Sequence, residues 1–255
     1  MPTARTAFRT LLAAAAFGLA LGSAHAQDRS LEELQWISEE YAPYNFSENG
    51  VAKGIAVDVL VKMWEVLGVP RSAADVRILP WARGYRMAQE QPGTCLFSMT
   101  ITPERRQLFA FVEPLVDTSV TIVAPTAKQL RVAAAKDLDA LTIGVVRDDI
   151  GEQALHSAGI KSALVRTDSA RSLVRMLEGG RFDAISYGLD TALWNMKLEG
   201  IDTAGYKAVF TVREGIMGYA CHKDIDPALL ARLQGALDKL LADGSVERIK
   251  RQYLR

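Results

Sequence analysis

The chain has little of what metal and nucleophile chemistry needs. Three of its 255 residues are histidine and two are cysteine. Beyond residue 26 the histidines are His156 and His222, far apart and with no cysteine or acid at a metal-motif spacing, so neither a metal nor any other cofactor is expected. No Gly-x-Ser-x-Gly elbow, phosphate loop or dinucleotide fingerprint is present, which removes the commonest sequence signs of hydrolases and nucleotide enzymes. Charge of one sign is not in excess, with 30 basic and 30 acidic residues, so nothing points to nucleic acid or an anionic membrane as partner. Past residue 26 no run reaches the ~18 uncharged apolar residues of a membrane helix. Proline-rich linkers, low-complexity stretches and short-period repeats are lacking too.

What is there begins with residues 1–26. Arg5 and Arg9 precede an uncharged run from Leu11 to Gly22, and Ala24-His25-Ala26 follows before Gln27. A basic start, an apolar stretch of that length and a small-x-small end predict a secretory signal cleaved after Ala26. No cysteine follows the run to accept a lipid, so the expected product is free in a bacterial periplasm, without membrane insertion. Cleavage removes Arg5 and Arg9 and no acid, leaving 229 residues with 28 basic against 30 acidic, a net charge of −2. A monomer is expected, because no apolar repeat stands outside the core stripes.

Strand and helix patterns then alternate. Leu34 to Ser38 reads as a strand, and Leu60, Met63, Trp64 and Leu67 recur at helical spacing before Gly68 and Pro70. A short strand Val76 to Leu79 leads into a helix from Trp81, and another strand runs from Thr94 to Met99. The pattern restarts with strands Leu141 to Val146, Ala163 to Arg166 and Phe182 to Tyr187, with helices between them. Repeated βα units predict an α/β fold of mainly parallel sheets flanked by helices, and the restart predicts two lobes. A strand Ile216 to Cys221 and a leucine-striped helix close the chain and are expected to return to the first lobe. Trp64 and Trp194 sit in apolar stripes and read as core.

In such sheets ligands lie beyond the carboxyl ends of the strands. Tyr41, Trp81 and the corner Ser98 to Arg105 all follow strand ends and would face one crevice. Within that corner Thr102 suits a helix cap and Pro103 its first position, so Arg105 falls in the first turn. The hydroxyls of Ser98 and Thr100, free backbone N–H groups and a guanidinium fork would then converge on a small carboxylate. The same residues would also suit a capped surface helix with two solvated arginines.

Several segments together resemble a known family: Tyr41-Ala42-Pro43-Tyr44, Gly54 to Asp58, Ser98 to Arg105, Gly144-Val145-Val146, Gly180 to Ala184 and Leu241 to Ser245. In order and spacing they are similar to the bacterial extracellular solute-binding proteins of family 3, the type 2 periplasmic binding proteins of polar amino-acid transport. The resemblance implies two lobes, residues 27–123 with 213–255 and residues 124–212, joined by two crossing strands near Thr121 to Pro125 and Phe210 to Glu214. It implies hinge closure over one small ligand and delivery to the permease of an ABC transporter. Arg105 would grip a ligand carboxylate with Ser98 and Thr100 assisting, Tyr41 would cover the ligand, and Trp81 lies close to a second aromatic position.

Departures from the family pattern bear on the ligand. Amino-acid binders of this family present a carboxylate to the ligand's ammonium group where this chain has Gly188, and Asp190 is too far along. The usual Gly, Ser and Thr corner is Arg147-Asp148-Asp149 here. Either Asp148 or Asp149 replaces the missing acid while Arg147 grips a second acidic group, or the ligand is a small acid without an amino group. A helix-capping role for the same three residues is the plainer alternative. Cys95 and Cys221 would lie on neighbouring strands of the first lobe, as a disulfide or as two buried thiols. A binding protein rather than an enzyme is the expectation. The same fold also hosts cyclohexadienyl dehydratases, for which Asp148, Asp149 or Glu152 would be acid candidates, and an orphan ligand sensor is a further alternative.

Overall fold

A computed structural model describes residues 30–254; the signal-like segment lies outside them. In chain order come β1 (Gln35–Ser38), a hairpin of β2 (Phe46–Glu48) and β3 (Val51–Lys53), α1 (Ile55–Leu67), β4 (Val76–Ile78), α2 (Trp81–Glu90), β5 (Thr94–Thr100), α3 (Pro103–Leu108) and β6 (Phe109–Pro125). There follow β7 (Thr142–Val146), α4 (Ile150–Ser157), β8 (Ala163–Thr167), α5 (Ala170–Glu178), β9 (Ala184–Tyr187), α6 (Leu189–Leu198), β10 (Tyr206–His222), α7 (Pro227–Ala242) and α8 (Ser245–Tyr253).

One eight-stranded sheet has the order β4-β1-β5-β10-β6-β9-β7-β8. Its two ends are parallel, β4-β1-β5 in one lobe and β9-β7-β8 in the other. Between them β6 and β10, each of 17 residues, pair antiparallel along their length and run through both lobes. The crossing segments expected near Thr121 to Pro125 and Phe210 to Glu214 and the strand read at Ile216 to Cys221 are thus parts of these two long strands. Half-exposed alternation with register shifts hides their length, since each strand changes neighbours along its course.

The first lobe's core is aromatic. Trp36 meets Trp64 and Tyr219 edge-on, with centroids 5.9 Å apart in each case, and Tyr219 lies 5.6 Å from Phe97. The Tyr219 hydroxyl donates to the carbonyl of Ala56 at 2.8 Å, which fixes α1 on the sheet. Gly54 permits the entry to that helix: its φ is 122°, and a Cβ there would stand 2.5 Å from the carbonyl oxygen of Tyr44. Because the backbones approach so closely, Ile55 and Ala56 donate their N–H groups to the carbonyls of Pro43 and Tyr44 at 3.1 and 2.8 Å. The helix start thereby holds the Tyr41 to Tyr44 loop. Trp64 is core, whereas Trp194 is half-buried on α6 and packs 5.7 Å from Phe46 of the other lobe; its helix spends its apolar face on an interlobe contact.

Cys95 of β5 and Cys221 of β10 are opposite partners in the antiparallel register and form a disulfide, with Cα atoms 3.9 Å apart. The bridge spans a separation of 126 residues and staples the returning strand to the one that bears the anion corner. Replacing both cysteines with serine should lower stability by about 2–5 kcal/mol, read from urea unfolding. Alkylation without reductant should add no mass to the oxidised protein, and labelling of two thiols would contradict the bridge.

Candidate functional site

The corner after β5 is built by a bulge. Met99 pairs with Gly218 and Phe97 with Tyr219, so Ser98 is the extra residue on its strand. Its φ of 60° is the left-handed conformation that a bulge needs and that serine adopts at a cost. That turn re-aims a side chain whose Oγ is buried without a hydrogen-bond partner. Thr102 caps α3, its hydroxyl accepting from the N–H of Arg105 at 3.2 Å, and Pro103 opens the helix.

Arg105 is 1% exposed. Its Nη1 donates to the carbonyl of Thr100 at 2.9 Å, so Thr100 contributes its backbone rather than its hydroxyl. The guanidinium lies 5.3 Å from the ring of Trp81 and 5.6 Å from that of Tyr85, both on α2. Nε and Nη2 remain buried without a hydrogen bond of normal geometry, and Tyr85 is the polar side chain that bears on the guanidinium. These two donors form the side-on edge of the fork, the edge that matches a carboxylate with two parallel hydrogen bonds.

Across the cleft stands the corner after β7, and its three charged residues part company. Arg147 and Asp148 have exposed side chains, and Arg147 pairs with Asp168 at 3.5 Å. Neither side chain reaches the site, because the left-handed turn at Asp148, φ 58°, points it outward. Asp148 does contribute its carbonyl, which accepts from Trp81 Nε1 at 3.0 Å and ties the lobes together. Asp149 turns inward and is buried. Its Oδ1 caps α4 through the N–H of Ile150 at 2.6 Å, while Oδ2 has no partner. The capping reading and the inward reading of Asp149 both hold, one for each oxygen.

A second carboxyl, Glu39, follows β1 and is buried beside Asp149 and Arg105. Burial pushes both acids above the ordinary carboxylate range. Arg105 and the Ile150 N–H pull Asp149 back, whereas Asp149 pushes Glu39 further, so Glu39 is the more strongly raised of the two. Tyr41 stacks on Tyr44 at 5.6 Å and meets Tyr187 of the second lobe edge-on at 5.4 Å. The Tyr187 hydroxyl is also buried without a partner, and its phenol is held up first by burial and then by Glu39. Clefts of about 290 Å³, lined by Glu39 and Trp81, and about 270 Å³, lined by Tyr85 and Arg105, border the cluster.

Sequence reading missed Glu39 and Tyr187 and left the role of Tyr85 open. Glu39 follows a strand end two residues before Tyr41, and the strand-end rule applied to it as to Tyr41 would have found it. Tyr187 ends β9 at a place where attention falls on the missing acid at Gly188. A Cβ on Gly188 would stand 3.1 Å from the Tyr41 hydroxyl, so Tyr41 from the first lobe takes the space over that glycine.

Two α/β lobes crossed by paired strands, with a buried guanidinium edge facing acids from both lobes, define a ligand-binding protein of the type 2 periplasmic class. The chain matches the model of the bacterial extracellular solute-binding proteins, family 3, over residues 36–255, and belongs to that family. Among solved structures it is similar to a histidine kinase sensor domain resembling periplasmic binding proteins, at 21% identity over 89% of this chain and 98% of that one, TM-score 0.75. It is also similar to an ancestral arginine-binding protein bound to arginine, at 22% identity over 89% and 100%, TM-score 0.74. A third is an ancestral amino-acid-binding protein that is a precursor of cyclohexadienyl dehydratase, at 22% over 87% and 95%, TM-score 0.71. No curated protein sequence matches the chain. Among the described residues no helix is long and apolar enough to cross a membrane.

The acid pair has a consequence for stability. Glu39 has its folded value above its unfolded one, so the stability its protonated form contributes is complete below about pH 4.3. It is lost as pH rises through the raised value. Glu39→Gln should therefore raise the ligand-free melting temperature at pH 8, with the gain shrinking toward pH 4.5. A variant that melts below the wild type at pH 8 would contradict the burial of an uncompensated carboxyl.

Proposed function

We propose that this chain is a periplasmic solute-binding protein that captures a small ligand carrying a carboxylate and an ammonium group, closes on it, and presents it to an ABC-type permease. One observation carries the ligand class: the Nε and Nη2 edge of Arg105 is buried without a hydrogen bond of normal geometry while Oδ2 of Asp149, from the opposite lobe, is buried and unpartnered. A carboxylate on the guanidinium edge and an ammonium on the acids would satisfy both, with Ser98 Oγ and the Tyr187 hydroxyl completing the polar shell. In this reading Asp149 and Glu39 replace the acid missing at Gly188, and the ligand enters between the lobes by opening about the crossing strands β6 and β10. Family membership supports extracellular solute binding, and the signal-like segment supports the compartment.

A thermal-shift screen of refolded, ligand-stripped protein against amino acids, dicarboxylates, hydroxy acids and short peptides tests the ligand class. A true ligand at about 100 times its dissociation constant adds roughly 2.7 kcal/mol of stability. Hits are expected among amino acids, and hits confined to acids without an amino group would overturn the zwitterion reading. Arg105→Ala should cost about 2–5 kcal/mol of binding free energy in calorimetry. Unchanged affinity in that variant would remove the anchor.

A second reading has one specific observation in its favour. Burial raises the Glu39 carboxyl well above its ordinary range beside Arg105, which is the environment that suits a general acid. Asp148, with an outward side chain, and Glu152, engaged with Arg166 at 2.6 Å, are not placed for that role. Incubation with arogenate or prephenate separates the readings: a binder consumes neither, and turnover abolished by Glu39→Gln would establish the enzyme.

A further inference from the structure

The hairpin of β2 and β3 stands apart from the eight-stranded sheet as a sheet of its own. Asn49 and Gly50 turn it with left-handed backbones, φ 53° and 80°, as a two-residue hairpin loop requires. A lone two-stranded hairpin is marginal in water, so its order depends on what its side chains cover. Phe46, at its start, covers a residue of each lobe. Its ring lies 5.7 Å from Trp194 on α6 of the second lobe and meets Tyr253 on α8 of the first edge-on at 6.4 Å. Tyr253 is fixed in turn, its hydroxyl donating to the Asp58 carboxylate of α1 at 2.6 Å.

A second tie runs from the same hairpin. The Ser47 N–H donates to the two oxygens of the Glu40 carboxylate at 3.2 and 3.1 Å. Burial raises that carboxyl, while the Ser47 N–H and then Arg171, on α5 of the second lobe, pull it back, so Glu40 stands between its own hairpin and a cation of the other lobe. Both ties lie near the surface. Phe46, Trp194 and Tyr253 are half-buried, and Glu40 and Arg171 are exposed, so these contacts can part without opening the core of either lobe. The hairpin is also continuous with the ligand cleft. Asn45, the residue before Phe46, exchanges backbone hydrogen bonds with Tyr41 at 2.7 and 3.1 Å, and its side-chain amide donates to the Glu39 carbonyl at 2.7 Å.

We propose that the β2–β3 hairpin is a strap that holds the two lobes together in the ligand-free chain, with Phe46 on Trp194 as its clasp. This strap rests on the reading of the chain as a hinged binder whose lobes part about β6 and β10. On opening, Phe46 stays with Tyr253 of its own lobe and leaves Trp194. The clasp exists only in the closed arrangement, so it raises the closed fraction before any ligand arrives and raises the apparent affinity with it. Through Asn45 the clasp and the loop that bears Glu39 and Tyr41 move together.

Small-angle X-ray scattering of the refolded, ligand-stripped protein tests the strap, with circular dichroism to show that each variant is folded. The wild type should scatter as a compact particle. Phe46→Ala and Trp194→Ala should each lower the closed-to-open ratio roughly two- to tenfold, the strength of one aromatic pair, and so raise the radius of gyration. The double variant should expand no further than either single one, because both remove the same contact. Phe46→Leu, which keeps an apolar side chain on the hairpin, should expand in the same direction by less. Trp81→Phe, which loses the hydrogen bond to the Asp148 carbonyl, is the control for opening at the other interlobe contact. Expansion in Trp81→Phe but in neither Phe46→Ala nor Trp194→Ala would overturn the strap and leave the hinge standing. No expansion in any variant would overturn both. A wild type as expanded as Phe46→Ala, or additive expansion in the double variant, would overturn the clasp.

Discussion

The rest of the structure depends on the burial of one guanidinium. A charge this far from water is destabilising unless its surroundings compensate it, and Arg105 draws those surroundings from every direction. The carbonyl of Thr100 takes Nη1, the rings of Trp81 and Tyr85 bring α2 alongside, and Asp149 supplies opposite charge from the second lobe. The compensation is therefore partly interlobe. The lobes are brought together by the need to neutralise Arg105, and the Trp81 to Asp148 hydrogen bond is the mechanical latch beside it. Two carboxyls against one guanidinium leave an excess of negative charge when both ionise. A proton on Glu39, which its burial favours, removes that excess.

Arg105 was legible in the sequence because its local grammar is complete: a cap, a proline at the first helical position and a strand before them. The bulge that aims Ser98 was not legible. It exists only in the register between β5 and β10, and a serine with a left-handed backbone gives no sign of itself where glycine would. The corner Arg147-Asp148-Asp149 shows the same limit. Three adjacent charges look alike in a sequence, and a single left-handed turn at Asp148 decides that Asp149 faces in and its neighbours face out. Trp194 misled for another reason, since an apolar stripe on a helix does not say whether it is covered by its own lobe or by Phe46 of the other. The lobes and their βα order were legible from hydrophobic periodicity. The length of β6 and β10 was not, because strands that pass between lobes lose the steady alternation of a one-sided sheet.

Gly188 connects these points. The resemblance to amino-acid binders places a carboxylate there, and taken alone the glycine suggests that ammonium recognition is lost. The packing gives it a different cause. With no side chain on Gly188, the Tyr41 hydroxyl occupies the space above it, and Tyr41 can meet Tyr187 edge-on across the cleft. A side chain at position 188 would crowd that hydroxyl, which would have to give way by a few tenths of an ångström. The carboxyls stand instead at Asp149 and Glu39, on the Arg105 side of the tyrosines. Opposite charges are thus kept close together on that side. Tyr41 and Tyr44 then stand between two parts of the cleft: one holds the buried arginine and its acids, the other is open, and the charged residues of its described lining are all acids. A ligand bearing a carboxylate belongs in the first, because the second would repel it.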